Sequence, residues 1–173
     1  SSAQNLAVTK ATTTTTLSLS PSAVTFGDES ALVVTATVGP EFAGSPTGTI
    51  DVTASGSPLC SIVLPATTCS PANSAVPASG TAYAVSANYL GDANFSASTS
   101  SPKELTVSPG NTTTTLTVAP STVVYGNEST VTFTSTVSSS QPGSPTGTIT
   151  VAAGSTTLCS FNVASASSCT TSD

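Results

Sequence analysis

The sequence contains no histidine, methionine, tryptophan or arginine, and two lysines supply all of its side-chain positive charge. Without an imidazole there is no Ser-His-Asp triad, no histidine general base and no histidine-bearing zinc site. Against the two lysines stand eight carboxylates, for a formal net charge of −6. The chain therefore lacks the basic surface that counterion release from a nucleic acid requires. Nucleic acid is a poor candidate partner. Charged residues make up 6% of the chain, where an ordinary soluble domain carries roughly 25%. No apolar run approaches the roughly 18 residues of a membrane-spanning helix. Ser1-Ser2-Ala3-Gln4 has neither the basic nor the apolar region of a signal peptide. The expectation is a soluble segment without a membrane span, any signal having been removed or lying upstream.

What is abundant is hydroxyl and β-branched: 34 Thr and 32 Ser in 173 residues. Such a composition suggests disorder only where apolar residues are scarce. Here mean hydropathy is positive, at +0.24, and Thr and Val both favour strands. The chain reads as all-β.

A repeat organises it. Thr12 to Leu17 returns as Thr112 to Leu116, Phe26-Gly27-Asp28-Glu29-Ser30 as Tyr125-Gly126-Asn127-Glu128-Ser129, and Pro46-Thr47-Gly48-Thr49-Ile50 as Pro145-Thr146-Gly147-Thr148-Ile149. Leu17 to Leu116, Pro46 to Pro145 and Cys60 to Cys159 are each an offset of 99, a period the size of a whole domain. Residues 11–109 form a complete repeat. Residues 1–10 read as the last strand of a preceding copy, since Leu6-Ala7-Val8-Thr9 mirrors Leu105-Thr106-Val107-Ser108. Residues 110–173 form a partial copy without the two closing strands that would match Ser74 to Val107. The missing strands are expected either from a longer array of such repeats or from another chain by strand donation, giving a homopolymer.

Period-two alternation places the strands. Leu17 and Leu19 lie in a first strand that Pro21-Ser22 bends or breaks. Leu32, Val34, Ala36 and Val38 follow, matched by Val131, Phe133, Ser135 and Val137. Ile50 and Val52 face inward on a third strand. Leu59 to Leu64 and Thr67 to Ser70 are expected to form a hairpin. Tyr83, Val85, Ala87 and Tyr89 alternate strictly, and Leu105 and Val107 close the unit. About seven short strands with regular turns predict tandem Ig-like β-sandwiches, the second copy incomplete.

The residues Val124-Tyr125-Gly126, Ser144-Pro145-Thr146-Gly147-Thr148-Ile149 and Asn88-Tyr89-Leu90-Gly91-Asp92-Ala93-Asn94-Phe95 resemble the bacterial Ig-like repeat family. Its members carry a Pro-Thr-Gly-Thr-Val third strand and a Tyr-x-Gly-Asp-x-Asn-Tyr/Phe turn before the final strand. The resemblance covers essentially the whole chain and implies a non-catalytic module, repeated in large secreted or surface-anchored proteins as a stalk, spacer or adhesive segment. The hairpin cysteines depart from the small residues usual there.

Cys60 and Cys69 lie 9 apart, and Cys159 and Cys169 lie 10 apart. Pairing across the hairpin ladder would put Ile62 opposite Thr67 with Leu64-Pro65 as the turn. Parity with Ile62 and Leu64, and of Cys159 with Phe161 and Val163, sets both bridges on or near the buried face. Closing such a loop stabilises by roughly 2–3 kcal/mol on the chain-entropy argument. A zinc site would need Cys-x2-Cys knuckles, and a redox pair an electropositive Cys-x-x-Cys, neither of which is present. Repeated, even cysteine usage points to an oxidising location, extracellular or at the cell surface.

The remaining candidates are weaker. Asp92 and Asn94 could offer oxygens to calcium, but one carboxylate is few for a dedicated site, and a tight turn with Gly91 at positive φ explains them. Asp28-Glu29 is a second acidic spot, half repeated by Asn127-Glu128. Sequons at Asn94, Asn111 and Asn127 are candidate glycan acceptors, and the Thr runs candidate O-glycan carriers or simply solvated strand faces. Lys103 corresponds to Gln4 and Lys10 to Pro109, so a lysine isopeptide crosslink in every repeat is not supported. Phe42, without an apolar counterpart in the second copy, is a candidate binding residue on an end loop. No metal, cofactor or catalytic group is implied. The function expected is a stalk, spacer or filament-forming repeat, with an adhesin for glycan or protein, or an accessory part of a large secreted enzyme, as the rivals.

Overall fold

The computed structural model describes residues 4–171. Residues 1–3 of the expected N-terminal strand and residues 172–173 of the partial copy lie outside the described residues. The chain divides into two compact units between Pro109 and Gly110.

In the first unit the strands are β1 (Thr13–Ser20), β2 (Ala23–Thr25), β3 (Val33–Pro40), β4 (Thr49–Ala54), β5 (Ser57–Val63), β6 (Thr68–Cys69), β7 (Tyr83–Tyr89), β8 (Ser98–Thr99) and β9 (Lys103–Ser108), with a short 3-10 turn at Glu29–Ala31. One sheet has the order β1-β3-β6; the other has β2-β9-β7-β4-β5, with β8 on β7. Most inward positions are those that alternation picked; Leu19, Val38 and Tyr83, also picked, are only half-buried, and Ala54 joins the core. Leu32, Val34, Ala36, Ile50, Val52, Ala54, Val85, Ala87, Tyr89, Leu105 and Val107 are all fully buried. Each Val, Leu or Ile so buried contributes about 1.5–3 kcal/mol of transfer free energy. The bend at Pro21 moves the chain from one sheet to the other: β1 is antiparallel to β3, and β2 runs parallel to β9.

The expected hairpin between residues 59 and 70 does not form. β5 pairs with β4, whereas β6 pairs with β3 through Val34↔Cys69 and Thr35↔Thr68. The chain crosses between sheets over Leu64 to Ala66, where Ala66 N donates to Val63 O. The reason is packing: Ile62 is already buried from the β4 side, and crossing lets residues 67–69 satisfy the open edge of β3. Cys60 and Cys69 are joined, but their bridge clips the two sheets together at one side of the sandwich.

The second unit contains β10 (Thr112–Ala119), β11 (Thr132–Ser139), β12 (Thr148–Ala153), β13 (Thr156–Asn162) and β14 (Ser168–Thr170). It repeats the arrangement, with β10-β11-β14 in one sheet and β12-β13 in the other. The register shift between Val151 and Ala152 repeats that between Val52 and Thr53. Cys159 and Cys169 again join strands of different sheets. Val131, Phe133, Val151 and Phe161 are buried, but Leu116, Val118, Val124 and Tyr125 are exposed, Tyr125 at 97%. The counterparts of Leu116, Val118 and Tyr125, namely Leu17, Leu19 and Phe26, pack against the core of the first unit, whose second sheet is completed by β7 and β9. No equivalents of those two strands occur among the described residues of the second unit.

Candidate functional site

Two of the motifs quoted above meet at one end of the first unit. Strand β7 delivers Tyr89 to the core, and the chain then turns through Gly91 at φ +79°. A Cβ on Gly91 would lie 2.9 Å from the Phe95 carbonyl oxygen, so the turn requires glycine both for its backbone angle and for its space. Asp92 follows. Its Oδ1 accepts from the N–H groups of Asn94 and Phe95, each at 2.8 Å. Its Oδ2 accepts from the backbone N–H and the hydroxyl of Thr47, also at 2.8 Å. The Tyr89 hydroxyl donates to the Thr47 carbonyl at 2.9 Å. Phe95 is buried, its ring so close under Gly44 that a Cβ there would meet it at 2.6 Å. The Pro-Thr-Gly-Thr segment and the Gly-Asp-x-Asn-Phe turn are thus one latch, centred on a carboxylate with four donors.

These donors set the electrostatics. The Thr47 N–H, helped by those of Asn94 and Phe95, holds the Asp92 carboxyl well below the usual carboxylate range. Burial pushes the Tyr89 phenol up, and the neighbouring Asp92 charge adds to this. Of the two readings offered for Asp92 and Asn94, the geometry gives the turn, since the carboxylate oxygens are spent on the protein's own donors. Among the described residues no three Cys, Asp or Glu side chains gather as metal ligands would.

A second polar centre was not legible beforehand as one. Glu29 is fully buried. Its Oε2 accepts from Gly27 N at 2.9 Å and from Ser74 N at 2.7 Å, tying the stretch between β6 and β7 to the 3-10 turn. Asn73 Oδ1 reinforces this by accepting from Ser30 N at 3.0 Å. In the second unit Glu128 is only half-buried and accepts from Gly126 N. The one hint in the sequence was the return of Glu29 as Glu128 in a chain so poor in charge.

The other candidates do not converge on these centres. Phe42 is 65% exposed on the loop after β3. Asn94, Asn111 and Asn127 are exposed, as are Lys10 and Lys103, the latter opening β9 opposite Val85. Leu6 and Val8 are exposed and lie in no strand. No helix of the described residues is long and apolar enough to cross a membrane.

The sheet order, the inter-sheet bridge and the carboxylate latch define an Ig-like β-sandwich module. A family model described as bacterial Ig-like domain (group 3) matches residues 16–108, more than half of the chain. The chain belongs to the bacterial Ig-like domain family. No curated protein and no solved structure matches it.

Proposed function

We propose that this chain is a non-catalytic structural module of an extracellular or cell-surface protein, a spacer built of serially linked repeats. The observation that carries this reading is the fate of the motif residues. Thr47, Tyr89, Asp92 and Phe95, which give the repeat its signature, are all engaged in holding the unit together. Nothing in that latch is poised toward a substrate. The bridges Cys60–Cys69 and Cys159–Cys169 suit an oxidising compartment. The partners of the open apolar face of the second unit are strands of a neighbouring Ig-like repeat, from the same chain or donated by another. Light scattering of the chain with and without residues 4–10 tests donation: loss of a higher-mass species on deletion supports it, and an unchanged monomer refutes it.

A second reading rests on Phe42, whose exposure fits an adhesive contact with glycan or protein. Glycan-array and host-protein binding by the chain, abolished in Phe42→Ala, would favour it over a spacer. Binding by neither protein leaves the spacer reading in place. Hexose increments in the intact mass would mark Asn94, Asn111, Asn127 or the Thr runs as glycan carriers.

A further inference from the structure

Beyond the spacer reading, we propose that the first unit carries a sugar-binding dish on the outer face of its β4–β5 pair, built around Asp51. The starting point is a carboxylate that the fold does not use. Aspartate is depleted in strands, yet Asp51 sits within β4 between the buried Ile50 and Val52. The Asp92 carboxylate has four donors and that of Glu29 has two. Among the described residues no hydrogen bond or ion pair reaches the carboxylate of Asp51, although the residue is half-buried.

A bulge makes the hollow. Val52 lies opposite Cys60 and Thr53 opposite Pro58, so Leu59 is an extra residue on β5. An extra residue bends and twists its strand, and such bulges gather beside binding sites. The cavity here has a volume of about 440 Å³, ordinary for a ligand pocket, and Asp51, Thr53, Pro58 and Ser61 are among its lining residues. Asp51 faces Ser61 across the ladder as Thr53 faces Pro58, and all four point outward because Ile50, Val52 and Ala54 point to the core. The Cys60–Cys69 bridge fixes β5 to the opposite sheet, so the dish is formed before any ligand arrives.

The groups present select the ligand. An ionised carboxylate only accepts, so the ligand must bring donors. The hydroxyls of Thr53 and Ser61 give or receive, and Pro58 adds an exposed apolar ring. Neighbouring hydroxyls of a sugar ring donate to the two carboxylate oxygens while its C–H face lies on Pro58. A divalent cation asks for about six or more oxygens, and no three Cys, Asp or Glu side chains gather among the described residues. The second unit repeats the bulge without this chemistry. Its register shifts between Val151 and Ala152, and Thr150, Ala152 and Thr157 stand in the places of Asp51, Thr53 and Pro58. The hollow belongs to the repeat, whereas the carboxylate is particular to the first unit.

The test is titration of the full, isotope-labelled chain with the methyl glycosides of mannose, galactose, glucose and N-acetylglucosamine, read by amide chemical shifts. Binding of at least one glycoside in the millimolar range is expected, with shifts at Asp51, Thr53 and Ser61 and none at Thr150, Ala152 and Ser160. Asp51→Thr installs the residue that the second unit itself carries there. It should keep or raise the melting point of the first unit and weaken binding by about tenfold or more. Asp51→Asn keeps one acceptor oxygen and should weaken binding less. Absence of shifts with every glycoside, equal shifts in the two units, or undiminished affinity in Asp51→Thr overturns the site. Equal shifts at Asp51 with putrescine or calcium chloride alone reduce it to a bare charge contact and overturn it too. Failure of the dish leaves the spacer reading untouched, because the length of a repeat does not depend on Asp51, and failure of the spacer reading leaves the dish standing.

Discussion

Replacing Glu29 by alanine tests whether a buried carboxylate held by backbone N–H groups is structural. In the parent chain Oε2 receives two backbone N–H groups, and Oε1 has no partner. Removal orphans the buried Gly27 N–H, at about 1–3 kcal/mol for an unsatisfied donor, and frees the Ser74 N–H, which sits where water reaches it. The loss of side-chain packing adds to this, and the expected total is about 3 kcal/mol for the first unit. At roughly 4–8 °C per kcal/mol for a domain of this size, the melting point falls by about 12–24 °C. The matching Glu128→Ala substitution removes only the Gly126 contact and should cost about 0.5–1 kcal/mol. Hydrogen exchange read by mass spectrometry resolves the two units in one experiment. Glu29→Gln retains an oxygen for the two donors and should lose clearly less than Glu29→Ala. The reasoning fails if Glu29→Ala and Glu128→Ala cost the same, or if the glutamine variant is as damaged as the alanine one.

Asp92 has a depressed native pKa, so its contribution to stability is full above the unfolded value of about 4 and is lost as pH falls below it. The stability gap between the parent chain and Asp92→Asn, followed by denaturant titration, should be constant from pH 6 to about 5 and close on further acidification. A gap independent of pH would separate the charge from the latch. Gly91→Ala combines a positive φ with a Cβ pressed on backbone and should cost more than about 1–2 kcal/mol by thermal unfolding; an unchanged melting point would contradict the turn geometry. The Cys60→Ser, Cys69→Ser double substitution should destabilise the first unit by about 2–3 kcal/mol by denaturant unfolding without altering the second. In stretching experiments, reduction should lengthen the unfolded first unit by about 2–3 nm, the chain otherwise hidden behind the bridge.

The strands were legible because Ala36, Ile50, Val52 and Ala87 alternate with polar neighbours, and alternation decides which face is buried. It does not decide which strand lies alongside. A hairpin and a crossing between sheets both place two short strands about ten residues apart, which is why residues 59–70 read as one ladder and belong to two. The Thr run concealed its own period. Thr13 and Thr15 point inward to Ser98 while Thr14 and Thr16 face water, a distinction no run of identical residues displays. Glu29 was visible only as part of an acidic spot; its buried role was not, since its partners are main-chain N–H groups, one of them 45 residues away, and these leave no mark in the sequence. The Asp92 turn was readable from Gly91 and Asn94, but its grip on Thr47 was not.

The spacer claim is tested most directly by length. Concatemers carrying increasing numbers of the 99-residue period, labelled at both ends, can be measured by electron–electron distance spectroscopy and electron microscopy. The account predicts end-to-end distances that grow linearly, by about 35–45 Å per repeat for strands of ordinary length with their end loops and linker. Growth with the square root of repeat number, as a flexible chain gives, would contradict it.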